Sequence, residues 1–425
     1  MLDVNYLREN KATAIAGLKI RNIENPEQML DDVIATDDSR KKIQHELDQL
    51  LAQSNKLSKE IGMLFKSGKA AEANEAKAKT GELKEQIKVL QEKQNEVITD
   101  LTNQLYQVPN IPHPHVPAGK SDKDNEVVRE WGVKPNLSKD ALPHWELAKK
   151  FDLFDLELGV KITGAGFPVY KGQGARLQRG LINFFLEKAI ENGYEEVIPP
   201  LMVNAASATA TGQLPDKEGQ MYEMTLDPFY MIPTAEVPIT NIYRDTQVKK
   251  EELPIKMVGY TPCFRREAGS YGKDVRGLNR LHQFDKVEIV QFVHPDRSHK
   301  VLEEMVVHVE NLVRALGLPY RVLRLCGGDL TFTSVLTYDI EVYSAAQDMW
   351  LEVSSISNFE TYQSNRLKCR FKNDEGKNQM LHTLNGSAIA LPRIIAAFLE
   401  NNQDGDCIHI PKELQEYVRM EKIAK

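Results

Sequence analysis

The chain has 425 residues, 27% of them charged, and a formal net charge of −7. That length can bury a large core and suggests two domains, and the acidic balance excludes a generally basic nucleic-acid coat, so any RNA contact has to be a local patch. Cys263, Cys326, Cys369 and Cys407 are far apart, with no C-x-x-C pair and no histidine at ligand spacing, which argues against a disulfide frame or a structural zinc site and predicts reduced, mostly buried thiols.

Taken in chain order, Met1-Leu2-Asp3-Val4-Asn5-Tyr6 lacks the basic and apolar stretches of a signal peptide. No apolar run approaches the ~20 residues of a membrane span, so the expectation is a soluble, cytoplasmic chain with no membrane partner. Residues 40–105 contain no proline, and Ile43, Leu47, Leu50, Ser54, Leu57, Ile61 and Leu64 alternate four- and three-residue steps. A second run of the same spacing joins Ala76, Thr80, Leu83, Ile87, Leu90, Gln94, Val97 and Leu101. These are heptad seams. Ser67-Gly68-Lys69 between them supplies a turn, and folding about it brings Leu50 to Leu90, Leu57 to Leu83 and Leu64 to Ala76. An antiparallel coiled-coil arm over about 40–105 follows, roughly 45 Å long at ~1.5 Å per residue and expected to project. Between residues 56 and 88, eight lysines stand against five glutamates. Such a run is ordinarily the solvated face of a helix, but on an arm of an acidic protein it suits polyanion contact.

Residues 107–125 stack four prolines ahead of Gly119, Ser121 and Asp122 and are expected as a linker. The sequence is thereby divided into a helical domain at 1–106, a linker, and a second domain at 126–425. His113 and His115 within the linker are read as extended-chain histidines rather than metal ligands. In the second domain, a helix at 174–192 leads into Tyr194-Glu195-Glu196-Val197-Ile198 and Pro199-Pro200. Strands are expected at 228–232, 255–264, 282–292, 320–326, 337–343 and 349–356, with a helix at 297–316. So many strands with few intervening helices indicate an α+β domain, an antiparallel sheet flanked by helices. No G-x-G-x-x-G or G-x-x-x-x-G-K-[ST] is present, and Gly172-Gln173-Gly174 and Gly327-Gly328 read as turns.

The chemistry concentrates on a hairpin, Phe264-Arg265-Arg266-Glu267-Ala268-Gly269-Ser270 returning through His282-Gln283-Phe284-Asp285-Lys286-Val287-Glu288. If both stretches are strands, Arg265 and Glu267 share one face, as do Phe284 and Glu288. Arginine forks onto phosphate or carboxylate, phenylalanine offers a ring to a base, and carboxylates suit an ammonium. The plain alternative is a charged surface hairpin. Pro233-Thr234-Ala235-Glu236-Val237-Pro238 by itself reads best as a helix start capped by Thr234.

The hairpin, with Arg276 and Gly277 in its loop, resembles motif 2 of the class II aminoacyl-tRNA synthetases, in wording closest to the bacterial-type seryl-tRNA synthetase family. The likeness extends over the whole chain, arm included. Residues 174–200 resemble motif 1, which implies a homodimer interface. The 233–238 segment resembles the family's T-x-E loop, which implies that Glu236 meets the ammonium of L-serine while Thr234 and Ala235 help place it. Glu352-Val353-Ser354-Ser355 resembles the segment that contacts ATP and Mg2+, with Glu352 and Ser355 as oxygen ligands, as a hard cation requires. Those two are three apart, so a regular strand would separate them and a bulge or strand end is needed if both hold one ion. Thr383 through Arg393 resembles motif 3, with Arg393 over ATP and Asn385 and Ser387 beside serine. Ala388 and Pro392 stand where most members have glycine. Pro392 suits the first turn of a helix, whereas Ala388 would be strained if the backbone there needed φ > 0.

The resemblance implies ATP-dependent activation of serine to seryl-adenylate and transfer to the 3′ end of serine tRNA, held by the coiled-coil arm, with selenocysteine tRNA left open as a second acceptor. Arg265 would bridge the substrate carboxylate and the α-phosphate, Arg266, Glu267, Phe284 and the backbone near Leu281 would hold ATP, and Glu288 with Thr234 would read the serine hydroxyl. Two rivals are an amino acid:carrier-protein ligase, whose members lack the long arm, and a coiled-coil RNA-binding scaffold with an inactive synthetase domain, against which the intact Arg265, Glu267, Glu288, Glu352 and Arg393 argue.

Overall fold

Packing divides the chain into two units, residues 1–19 with 23–109 and residues 20–22 with 110–425. The computed structural model describes residues 1–268 and 276–425, so Gly269 and Ser270 of the motif 2 run lie outside the described residues. In the first unit Asp3 caps helix α1 (Val4–Glu9) by accepting from the main-chain nitrogens of Asn5 at 2.8 Å and Tyr6 at 3.1 Å. Helices α2 (Lys11–Ile20), α3 (Pro26–Lys66) and α4 (Ala70–Gln107) follow. The pair α3 and α4 pack along each other, and Gly68 turns between them at φ +74°, a conformation glycine adopts without steric cost.

Every seam position from Ile43 to Leu64 and from Ala76 to Leu101 is buried or half-buried, and among the residues between them only Gln44 is not exposed. That is the pattern of two helices meeting along 3.5-residue seams. Gln44 accepts a hydrogen bond from Gln94 across the pair, and Leu50 with Leu90 and Leu57 with Leu83 line common grooves, the pairing expected from the turn. The first arm helix begins at Pro26 rather than near residue 40. Proline suits the opening turn of a helix, and Leu30 and Val33 give this early stretch its own buried face where it packs with α1. Its 41 residues span about 60 Å.

The second unit is built on a sheet whose described strands are β1 (Glu126–Trp131), β2 (Glu195–Glu196), β3 (Ile255–Phe264), β4 (Gln283–Val293), β5 (Tyr320–Arg324), β6 (Leu336–Ser344), β7 (Met349–Glu360) and β8 (His382–Ala390), in the order β1-β5-β6-β7-β8-β4-β3-β2. Each neighbouring pair is antiparallel except β2 with β3. Helices α5 (Gly172–Glu191), α6 (Ser298–Ala315) and α8 (Leu391–Asn401) cover one face, while α7 (Thr361–Leu367) packs with β8 elsewhere. On β4 the odd residues Val287 and Ile289 enter the helix-covered core, and the even residues Val290 and Phe292 enter a second apolar cluster with Ile239, Phe371 and Leu381. A strand buried on both faces reads as a nearly continuous apolar run. The edge strand β1 was not expected; Val127 and Trp131 are exposed there, so no apolar alternation marks it. The run after α5 yields a strand of only two residues, with Pro199-Pro200 following closely.

From Asn110 onward the proline-rich segment belongs to the second unit. The Asn110 N–H donates to Phe332 O at 3.0 Å, and its side-chain amide donates to Thr333 O and Phe359 O at 2.8 and 2.9 Å. His113 stacks beside His299 with ring centroids 4.3 Å apart, but among the described residues no cluster of three or more His, Cys, Asp or Glu is placed to hold a metal. No described helix is long and apolar enough to cross a membrane.

Candidate active site

The cavity of interest, about 340 Å3, opens on the face of the sheet away from α5 and is lined from β4, β7, β8, the 233–236 loop and the start of α8. Phe284, Lys286 and Glu288 alternate along β4, so all three reach it. Only Phe284 and Glu288 were singled out from the sequence. Lys286 was legible by the same two-residue period.

Strand β7 meets the geometric requirement set by Glu352 and Ser355. Its pairing with β6 runs Ile340 with Ser354 and then Glu341 with Glu352, so Val353 is an extra residue, a β-bulge. Leu351, Val353 and Ile356 all enter the core, and the change of phase between Val353 and Ile356 sets Glu352 and Ser355 on one face, the cavity's. Opposite Ser355 on β6 lies Asp339, whose Oδ1 is shielded from solvent and has no hydrogen-bond partner. Burial, and then the charge of Glu352, push the Asp339 carboxyl well above the ordinary carboxylate range. An under-satisfied recess of hard oxygens is chemically suited to a divalent cation such as Mg2+.

Arg393 is the third residue of α8, with Pro392 in its first turn. Its Nε donates to Asn279 O at 3.0 Å and its Nη1 to Glu352 O at 2.9 Å, which aims the guanidinium across the cavity toward Glu352 Oε2 at 3.4 Å. Ala388 is absent from the positive-φ positions, so the alanine there carries no backbone strain. Asn385 and Ser387 also line the cavity.

The 233–236 loop combines both readings of its sequence. Thr234 Oγ1 accepts the Glu236 N–H at 3.3 Å, a cap-like bond at the start of the short helix Glu236–Asn241, and it also accepts from Lys286 Nζ at 2.7 Å. Glu236 is buried; burial and then the neighbouring Glu288 raise its carboxyl to about 7, opposed by the bond from Gln363 Nε2 at 2.6 Å. Glu288 is fully buried and pairs with Lys286 Nζ at 2.5 Å, while Ser387 Oγ lies 3.4 Å from its Oε2.

The hairpin expectation needs correction at one point. Strand β3 ends at Phe264, and Glu267 sits at φ +49°, so Arg265 and Glu267 are not alternate residues of one strand. The ladder continues only through the Arg265 N–H to His282 O bond at 2.9 Å. The turn nevertheless brings both to the cavity: Arg265 lies over the Phe284 ring at 5.2 Å, and Glu267 pairs with Arg280 at 2.6 Å. Leu281, Val353 and Ser354 line it as well. Two expected residues do not: Ala235 is packed in the cluster with Ile239 and Val290, and Arg266 is exposed.

Sequence reasoning also missed Asn279, Arg280, Thr331 and Thr333, loop residues with no periodic signal. The 330–334 loop is held by Arg21, whose guanidinium donates to Asn110 O at 2.6 Å, to Leu330 O and Thr331 O at 3.0 Å each, and to Ser334 O. Burial draws Arg21 down to about 10.

The chain is similar to known proteins over its whole length. Residues 1–112 match the family model of the seryl-tRNA synthetase N-terminal domain, and residues 222–402 match that of the class II tRNA synthetase core domain (G, H, P, S and T). A serine–tRNA ligase of Salinibacter ruber is 48% identical, covering 100% of this chain and 99% of the relative, and one of Akkermansia muciniphila is 46% identical over 98% and 97%. Among solved structures, the seryl-tRNA synthetase of Pyrococcus horikoshii complexed with ATP superposes with a TM-score of 0.91 at 33% identity, covering 100% of this chain and 99% of that one. The cytoplasmic serine–tRNA ligase of Naegleria fowleri in complex with AMP gives 0.86 at 25%, with the same coverage. On full-length identity, two matched domains and a superposable fold, the chain belongs to the seryl-tRNA synthetase family.

Proposed function

We propose that this chain is a serine–tRNA ligase that condenses L-serine with ATP to seryl-adenylate and then transfers the seryl group to the 3′ end of serine tRNA. The observation that carries the reading is the convergence, in one cavity, of two cations suited to phosphates, Arg265 and Arg393, with two buried carboxylates suited to an amino acid, Glu236 and Glu288. Glu236 takes the substrate ammonium, whose charge offsets the burial that otherwise favours the protonated acid. Arg265 holds the serine carboxylate beside the α-phosphate, so that the carboxylate oxygen attacks phosphorus in line with departing pyrophosphate; placement and charge do the catalysis and no protein nucleophile is required. Phe284 and Glu267 flank the adenine, and Arg393 faces the phosphates. Glu352 and Ser355, backed by Asp339, would hold Mg2+, which supplies charge neutralisation at the phosphate oxygens.

The arm contacts tRNA through the lysines near its turn, as phosphate contact on a shaped RNA requires. Homodimerisation through the 174–200 region is supported by an apolar surface there, with Ile198 89% exposed and Leu201 and Met202 exposed nearby. Four free cysteines accord with a cytoplasmic setting. The test is serine-dependent exchange of label between pyrophosphate and ATP: the protein should catalyse it, and Arg265→Ala should abolish it while circular dichroism stays native. Near-normal exchange by that variant overturns the assignment.

A further inference from the structure

Lys286 has no part in the scheme above, yet its ammonium lies inside the amino-acid end of the cavity. Its side chain is only 7% exposed, and Nζ reaches Glu288 Oε2 at 2.5 Å and Thr234 Oγ1 at 2.7 Å. A burial that deep is unusual for lysine and is tolerated only with partners. We propose that Lys286 is a specificity-determining positioning residue: it fixes the hydrogen-bond polarity of the pocket that reads the substrate hydroxyl, making Thr234 a donor and Glu288 an acceptor. The inference rests on the serine-activating reading of the site and deepens it.

The argument is a count of lone pairs and protons. An ammonium has three donors and no acceptor, and a hydroxyl has one donor and two acceptor positions. Thr234 Oγ1 accepts from Lys286 Nζ and from the Glu236 N–H at 3.3 Å, so both acceptor positions are filled and what it can still offer is its proton. Glu288 receives Lys286 on Oε2, with Ser387 Oγ 3.4 Å from the same oxygen. The ammonium and the Ser387 hydroxyl both meet Oε2, so Oε1 is left to accept from the substrate. A substrate hydroxyl donating to Glu288 and accepting from Thr234 satisfies both. Alanine, with a methyl group in that place, leaves both unpaired. A site built to bond a hydroxyl can reject the analogue without it by ~10⁴, but only while each partner has a single role. Without the lysine, Glu288 lies buried with no cation opposite its carboxylate, Thr234 regains an acceptor position, and the pair loses its polarity.

The test is a double-mutant cycle on the full-length protein with Lys286→Met, Glu288→Gln and the double variant, read by amino-acid-dependent pyrophosphate exchange with serine and with alanine. Lys286→Met should lower kcat/KM for serine roughly 100-fold or more, since it strands a buried charge, narrow the serine-to-alanine ratio at least about tenfold, and leave the dissociation constant for ATP within about threefold. In the Glu288→Gln background, where the change removes an ammonium already left without its carboxylate and strands no anion, it should cost serine less than about threefold. Effects of the two substitutions that multiply independently overturn the proposal, and so does an unchanged serine-to-alanine ratio. If Lys286→Met does not fold, Lys286→Gln, neutral but still a donor, enters the same cycle and is judged by the same two criteria. Wild-type protein lacking serine-dependent exchange would instead overturn the reading of the site itself, so the two failures are distinguishable.

Discussion

Glu236→Gln should make the protein more stable at alkaline pH while removing its response to serine. The Glu236 carboxyl is raised from an ordinary 4.5 to about 7 by burial and then by Glu288. The folded state therefore holds this proton more tightly than the unfolded chain, so unfolding releases it between pH 4.5 and 7 and stability falls as pH rises through that window. At about 1.36 kcal/mol per pH unit, the full interval amounts to about 3 kcal/mol of destabilisation, present above pH 7 and absent below 4.5. Glutamine removes the titration but keeps the Oε1 that accepts from Gln363. Urea unfolding can be followed by tryptophan fluorescence, because Trp131, Trp145 and Trp350 all lie in the second unit. The variant's advantage over wild type should widen by about 2 to 3 kcal/mol between pH 5 and pH 8. In the wild type, kcat/KM for serine should climb about tenfold per pH unit below 7 as the carboxylate forms, whereas the variant should show no serine-dependent exchange. A stability gap constant to within about 0.5 kcal/mol across that range would refute the reasoning, because the carboxyl would then titrate normally.

Replacing residues 51–89 by a short Gly-Ser bridge joins Leu50 to Leu90, which already line one groove; serine-dependent exchange should stay within a few fold while tRNA charging falls by orders of magnitude, and charging that survives would show the arm to be a scaffold. Substituting by alanine any one arm lysine that neutralises a phosphate should flatten the log-log salt dependence of tRNA binding by about 0.7 to 0.9. Ser355→Ala should raise the Mg2+ concentration needed for half-maximal ATP binding several-fold, measured by calorimetric titration, and an unchanged requirement would remove Ser355 from the ion site. Arg21→Met leaves buried carbonyls unpaired, each costing about 1 to 3 kcal/mol, so the melting temperature should drop by several degrees; a native melting curve would show that the 330–334 loop holds itself. Sedimentation should give twice the chain mass, and Ile198→Glu should shift it toward the monomer.

The sequence made legible those parts of the molecule governed by short-range periodicity. The arm's seams and turn came from 3.5-residue spacing, and the central strands from apolar runs that are buried on both faces. The need for a bulge near Glu352 followed from the family resemblance, which makes Glu352 and Ser355 joint ligands, together with their spacing of three on a strand. What escaped was set by contacts remote in the chain or by departures from regularity. Arg21 meets Leu330 across 309 residues, and nothing beside either residue announces the other. Glu267 leaves the strand at a left-handed position that a non-glycine residue seldom adopts, so alternation gave the right cavity for an incorrect reason. Lys286 was visible by period, but a lysine on a strand ordinarily faces water and nothing in the sequence marks this one as buried.

The extra residue in β7 also bears on how such an enzyme can change over generations. A bulge interrupts the ladder and leaves a residue unpaired, and deleting Val353 would restore regular pairing with β6 while leaving Glu352 and Ser355 two apart and still on one face. A bulge thus absorbs a one-residue change in the length of β7 without turning the flanking side chains over. The orientation of Glu352 and Ser355 is buffered against a single insertion or deletion at this point, and what such a change alters is the core, from which the Val353 side chain is lost.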